Sequence, residues 1–220
     1  MTITLNKKRT SLLKLTYTAV LTAIIFLLEI THIGYIPLLG IAEITVMVVP
    51  VAVGAVIAGP VGGAFLGFIF GLTSFIQCFK GSVFGAAILS ASLIGTVITC
   101  FVPHILMGLL CGLIYKLFTQ LTKMKYLSCV ITSVSAAVLN TVFFMTSLII
   151  CFGRSEYIIS MMDTLGVKSL LSFAVAFVGI NGIIEAIVSA IIGFFVASVL
   201  VRFLPDASPT LRHNAQSLPK

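Results

Sequence analysis

From Ala42 to Phe75 the chain reads AEITVMVVPVAVGAVIAGPVGGAFLGFIFGLTSF, an apolar run whose one charged residue is Glu43 near its start. A bilayer crossing takes roughly 20 such residues, so the run holds about two. Gly59-Pro60 stands near its middle, where glycine accepts positive φ and proline fixes φ while donating no N–H. The pattern predicts a transmembrane hairpin with a tight, uncharged turn. From that turn Gly59, Gly63, Gly67 and Gly71 recur at every fourth residue. Such spacing lines them along one side of a helix, where missing side chains let another backbone approach. Packing is the plain reading of the stripe.

The rest of the sequence has the same character. Of 220 residues, 60% are hydrophobic and 9% charged, against about 25% charged in an ordinary soluble domain. Apolar runs this long and numerous require lipid as their solvent, and backbone groups in lipid must be satisfied within their own segment. The runs lack the alternation of barrel strands. The expected class is all-α, an integral membrane bundle of six transmembrane helices. Cys78, Cys100, Cys111, Cys129 and Cys151 lie in or beside apolar runs with no CxxC spacing. They read as small hydrophobes, not as metal ligands or a disulfide framework.

In chain order, residues 1–14 form a polar lead and Leu15–Ile30 the first span, with no small-residue cleavage pattern, so it reads as retained. A semi-ordered connector, Thr31–Glu43, holds His32, Gly34, Tyr35, Pro37 and Gly40. Spans two and three, Ile44–Ala58 and Val61–Ile76, are the opening hairpin. Gln77–Leu93 is expected on or partly in the membrane without crossing it. Span four covers Ile94–Phe118 and span five Leu127–Phe152, followed by a polar stretch, Gly153–Ser169. The apolar run Leu170–Leu204 is too long for one crossing at 1.5 Å per residue, so a break is expected near Gly179 or Gly182. The membrane domain thus spans 15–204, and residues 205–220 read as a disordered polar tail.

The net charge of +7 does not indicate nucleic acid, because the basic residues sit at the ends of apolar runs and not among aromatics on one face. Ten of the thirteen, Lys7, Lys8, Arg9, Lys14, Lys116, Lys123, Lys125, Arg202, Arg212 and Lys220, fall on one side of the expected topology. Lys80, Arg154 and Lys168 fall on the other. Positive residues stay inside, so both termini are expected in the cytoplasm, with the loops after spans one, three and five outside as a lid.

Polar residues within the spans carry whatever chemistry there is. Asn181 and Glu185 are four apart and share a helix face, and Asn140 in span five lies at a comparable height in the outer half. An ionisable group within a span is a functional candidate by default, and interhelical hydrogen bonding is the alternative. Gln77 and Lys80 end span three, where a cation could meet an anionic ligand or merely snorkel to the interface. His104 follows Pro103 and reads as a hydrogen-bonded helix histidine, since no second histidine or acid stands at metal spacing. Glu29 and Glu43 read as solvated interface residues. No nucleophile–base pair, P-loop or phosphate-binding glycine motif is present, so no catalysis is expected. On span one, Ala19 and Ala23 form an AxxxA pair, with Thr16 and Thr22 nearby, that could dock a helix of another protein.

These residues together carry a resemblance. TAVLTAII with Ala19 and Ala23, the 42–75 hairpin, VPHILMGLL at the head of span four, and Asn181 with Glu185 resemble the substrate-binding membrane subunits (S components) of energy-coupling factor (ECF) vitamin transporters. The likeness covers about residues 10–203 and is closest to the pantothenate-specific branch, with folate, pyridoxine and cobalamin subunits related. Related sequences often have arginine where this chain has His104. The resemblance implies a vitamin bound from outside, in a multi-pass protein of a prokaryotic cell membrane. It also implies a transmembrane coupling subunit (EcfT-like) and two ATP-binding subunits as partners. ATP would be used by those partners and no cofactor held in this chain. The alanine face would be the contact, and the subunit would tip over in the membrane to release its cargo. Sparse charge suits such a movement, because few ionised groups would cross lipid. The competing readings are a stand-alone secondary transporter, disfavoured by absent inverted repeats and scarce buried charge, and an intramembrane enzyme, which lacks paired acids or metal ligands.

Overall fold

A computed structural model of the chain describes residues 2–31, 34–38, 42–80, 82–122, 124–177, 179 and 183–203. Among them the helices are α1 (Thr2–Ile30), α2 (Val48–Ala58), α3 (Pro60–Lys80), α4 (Val83–Ala91), α5 (Leu93–Thr122), α6 (Lys125–Phe152), α7 (Glu156–Thr164), α8 (Leu170–Phe177) and α9 (Ile183–Phe203). The helical class holds, with one addition. Within the connector expected as a loop, β1 (Tyr35–Leu38) and β2 (Ala42–Thr45) pair antiparallel, Tyr35 opposite Thr45 and Leu38 opposite Ala42.

Among the described residues, four helical segments are long and apolar enough to cross a membrane: Ser11–Ile30 of α1, then α3, α5 and α6. The second expected span is shorter than its sequence suggested. Its first residues belong to β2, and α2 has 11 residues, a rise of about 16 Å against a ~30 Å hydrocarbon core. Pro50 falls in the first turn of α2, where its missing N–H leaves no hydrogen bond unmade. Every residue from Val48 to Ile57 is buried, and α2 packs on α1, α3, α5, α6 and α9. A helix apolar on all sides is a buried one, and α2 is the axis of the bundle.

The turn after α2 is as tight as expected. Gly59 takes φ 81°, its N–H donates to the Ala55 carbonyl, and Pro60 starts α3 at once. The glycine stripe beyond it is packing. A methyl group added at Gly71 would lie 2.6 Å from the Cys100 carbonyl oxygen, and at Gly67 or Gly63 it would overlap the carbonyl oxygens of His104 and Gly108. Gly108 meets Gly63 reciprocally, and Gly112 abuts Pro60. Thus α3 and α5 run antiparallel, backbone against backbone, along about three turns.

The stretch 77–93 does not cross: α4 has nine residues. Of the long run after Leu170, α8 is described to Phe177 and α9 from Ile183; the break expected near Gly179 or Gly182 falls on a stretch of which only Gly179 is among the described residues. The lead and the first span share one helix, since α1 starts at Thr2. Two apolar clusters form the core. One surrounds α2 and includes Leu21, Leu66, Phe70 and Met107. The other lies under α4, α7 and α8 and includes Cys78, Ile88, Cys100, Met145, Ile158 and Phe173.

Candidate functional site

Four buried polar side chains fall, by their position along α3, α5 and α6, at the level between these clusters. On α3, Thr73 stands between Phe70 of the first cluster and Cys78 of the second. On α6, Asn140 and Thr141 stand between Ala136 and Met145. On α5, His104 stands between Met107 and Cys100, and its ring touches both regions. Its centroid is 3.9 Å from that of Phe70 and 6.5 Å from that of Phe144, which packs against the second cluster.

The local sequence explains how His104 is held. Pro103 inside α5 cannot donate to the carbonyl one turn back, at Thr99. At the next carbonyl, Cys100, the His104 ring packs its Nδ1 against the oxygen. A carbonyl only accepts, so Nδ1 carries the proton, and the neutral ring's Nε2 is an acceptor. Asn140 is 5% exposed and lies one helical turn from Phe144 on the same face of α6.

From Phe144 the aromatic lane continues into the short helices above. Phe84 of α4 lies 6.1 Å from Phe144 and 6.1 Å from Tyr157 of α7. Both helices start on a serine cap: the Ser82 hydroxyl accepts from the Gly85 N–H and that of Ser155 from the Ile158 N–H. Through Phe84 and Tyr157 the two helices meet each other beside Phe144. A layer holding an amide, an imidazole and threonine hydroxyls, walled by rings, offers donors and acceptors without a fixed charge. That is the chemistry of a site for a small polar organic molecule.

The sequence-predicted residues fall as follows. Asn140 is in this layer. Gln77, half-buried, and Lys80, exposed, occupy the last turn of α3. Asn181 lies outside the described residues, as does the side chain of Glu185, whose backbone is in α9. Glu29, expected in solvent, is 5% exposed at the end of α1. His104 and the rings of Phe70, Phe84, Phe144 and Tyr157 were not among the expected site residues. The one sequence signal for them was Phe144 four residues after Asn140. None of the five cysteines is in a disulfide and four are buried, as small hydrophobes would be. Among the described residues no group of histidine, cysteine and acid could hold a metal ion.

Ala19 and Ala23 are exposed on α1, on a face that also exposes Thr16, Val20, Ile24 and Leu27. No curated protein matches the chain. A family model described as the ECF transporter, substrate-specific component, matches residues 13–197.

Proposed function

The chain belongs to the family of ECF-transporter substrate-specific components, and from that membership we propose that it binds a water-soluble vitamin from outside the cell and hands it to partner subunits. Pantothenate is the first candidate ligand, with folate, pyridoxine and cobalamin next. In this reading the chain sits in a prokaryotic plasma membrane with six crossings and both termini in the cytoplasm. Its lead, 15–204 membrane domain and tail divide as the sequence suggests. Ala19 and Ala23 meet a transmembrane coupling subunit, and two ATP-binding subunits supply the energy, so this chain needs no catalytic group.

The observation that supports the site is the set of buried side chains Thr73, His104, Asn140 and Thr141, with His104 and Asn140 next to the ring lane of Phe70, Phe144, Phe84 and Tyr157. Polar side chains within membrane spans are costly and are functional candidates by default, and these four bring an amide, an imidazole and two hydroxyls that a small polar ligand can use. Asn181, Glu185, Gln77 and Lys80 are assigned to the same ligand. Titration of the purified chain with the four vitamins, alongside native mass spectrometry for a co-purified small molecule, tests the reading. One vitamin binding with submicromolar Kd supports it, and binding of none overturns it.

A further inference from the structure

Cys78 and Cys100 stand apart from the other cysteines. Their sulfurs are 4.0 Å apart, one from α3 and one from α5, and both residues are buried. The Cys78 thiol donates to the Ser74 carbonyl, and the Ser74 hydroxyl donates to the Cys100 sulfur at 3.8 Å. The approach follows from the packing. The two helices touch backbone to backbone at Gly71 and Cys100, and Cβ atoms tilt toward a helix N-terminus. In antiparallel helices such tilts oppose, so a cysteine above the contact on α3 and one on α5 lean toward each other.

We infer that Cys78 and Cys100 are a disulfide-forming pair, a modification site that staples α3 to α5 beneath α4. A disulfide needs its sulfurs about 2.05 Å apart. Each sulfur has to move by roughly 1 Å to reach that length, which side-chain rotation supplies while the helices stay in place. The step is thiol–disulfide exchange with a small external disulfide such as oxidised glutathione. One cysteine, as thiolate, attacks a sulfur of the oxidant and expels one thiol. The second cysteine attacks the mixed disulfide and expels the other. Two protons leave the protein, its two thiols are oxidised, and the external disulfide is reduced to two thiols. Access is set by α4: a methyl group added at Gly85 would lie 2.7 Å from the Cys78 Cα, so α4 must lift before the oxidant can enter.

The test uses the purified full chain in lipid nanodiscs, treated with oxidised glutathione, then denatured and alkylated without reductant. Peptide mass spectrometry should find two of the five cysteines unalkylated and joined as a Cys78–Cys100 cross-linked peptide, restored by reductant. The cross-linked protein should show a Tm higher by roughly 5–10 °C. Cys78→Ser and Cys100→Ser should each abolish the cross-link. Because the wild-type measurement stands alone, a variant that fails to fold does not decide the matter. Alkylation of all five thiols, a cross-link involving another cysteine, or an unchanged Tm in the cross-linked protein overturns the inference.

Discussion

A methyl group at Gly67 would overlap the main-chain carbonyl of His104, whereas one at Gly179 would meet nothing within 4 Å. Backbone cannot rotate aside as a side chain can, so Gly67→Ala must separate α3 from α5. The expected loss is about 1–3 kcal/mol, the range for overpacking, and Gly179→Ala should leave stability within about 0.5 kcal/mol. Gly59→Ala has space but φ 81°, so its cost is conformational, about 1–2 kcal/mol. Thermal unfolding of the three variants in one detergent checks the order, and equal melting points would contradict backbone packing. At the site, Asn140→Ala removes a buried amide one turn from Phe144. Ligand affinity should fall ten- to a hundredfold, the weight of one or two hydrogen bonds to buried groups, with the melting point little changed. Calorimetric titration reads the first and thermal unfolding the second.

Elements carry different information from residues. Helix α1 turns Leu21 and Ile25 inward and leaves Ala19 and Ala23 exposed, so a bulky residue there meets no part of its own bundle. Ala23→Trp should therefore leave ligand binding intact and abolish uptake in cells that supply the partner subunits. Uptake at the wild-type rate would mean this face meets only lipid. Helix α4 depends on its cap, since the Ser82 hydroxyl accepts from the Gly85 N–H at 3.1 Å. Ser82→Ala should loosen α4 by about 1 kcal/mol, seen as faster hydrogen exchange confined to residues 83–91. The long helices were legible in the sequence because apolar length alone specifies them, and Gly59-Pro60 marked the turn through its φ demands. What composition could not reveal was that the helix of the second span is only Val48–Ala58 and forms a buried axis. Lipid and a protein interior are equally apolar, so a Val-rich run suits both. Of the candidate site, Asn140 stood out in the sequence as an amide within a span. The lane from Phe70 to Tyr157 joins five helices, and no spacing along one chain announces such a meeting.

At the scale of the whole molecule, the distribution of charge limits what the chain can do alone. Among the described residues the layer between the two clusters is built from neutral side chains, Thr73, His104, Asn140 and Thr141. Coupling uphill transport to an ion gradient requires a group within the membrane that binds the ion differently in two states; these four residues include no carboxylate, and Glu185 of α9 is assigned to the ligand. Nor can the close backbone contact of α3 and α5 slide gradually, because a shift of either helix drives the carbonyls of Cys100, His104 and Gly108 against a new row of side chains. In the proposed function the body moves as a unit, driven by its partner subunits. Proteoliposomes containing the purified chain alone should therefore bind radiolabelled vitamin at the membrane without accumulating it, under either a proton or a sodium gradient. Adding the coupling and ATP-binding subunits with ATP should start accumulation, and Ala23→Trp should stop it again. Gradient-driven accumulation by the chain alone would require a titratable or ion-binding group in the transport path and would overturn the proposed division of labour.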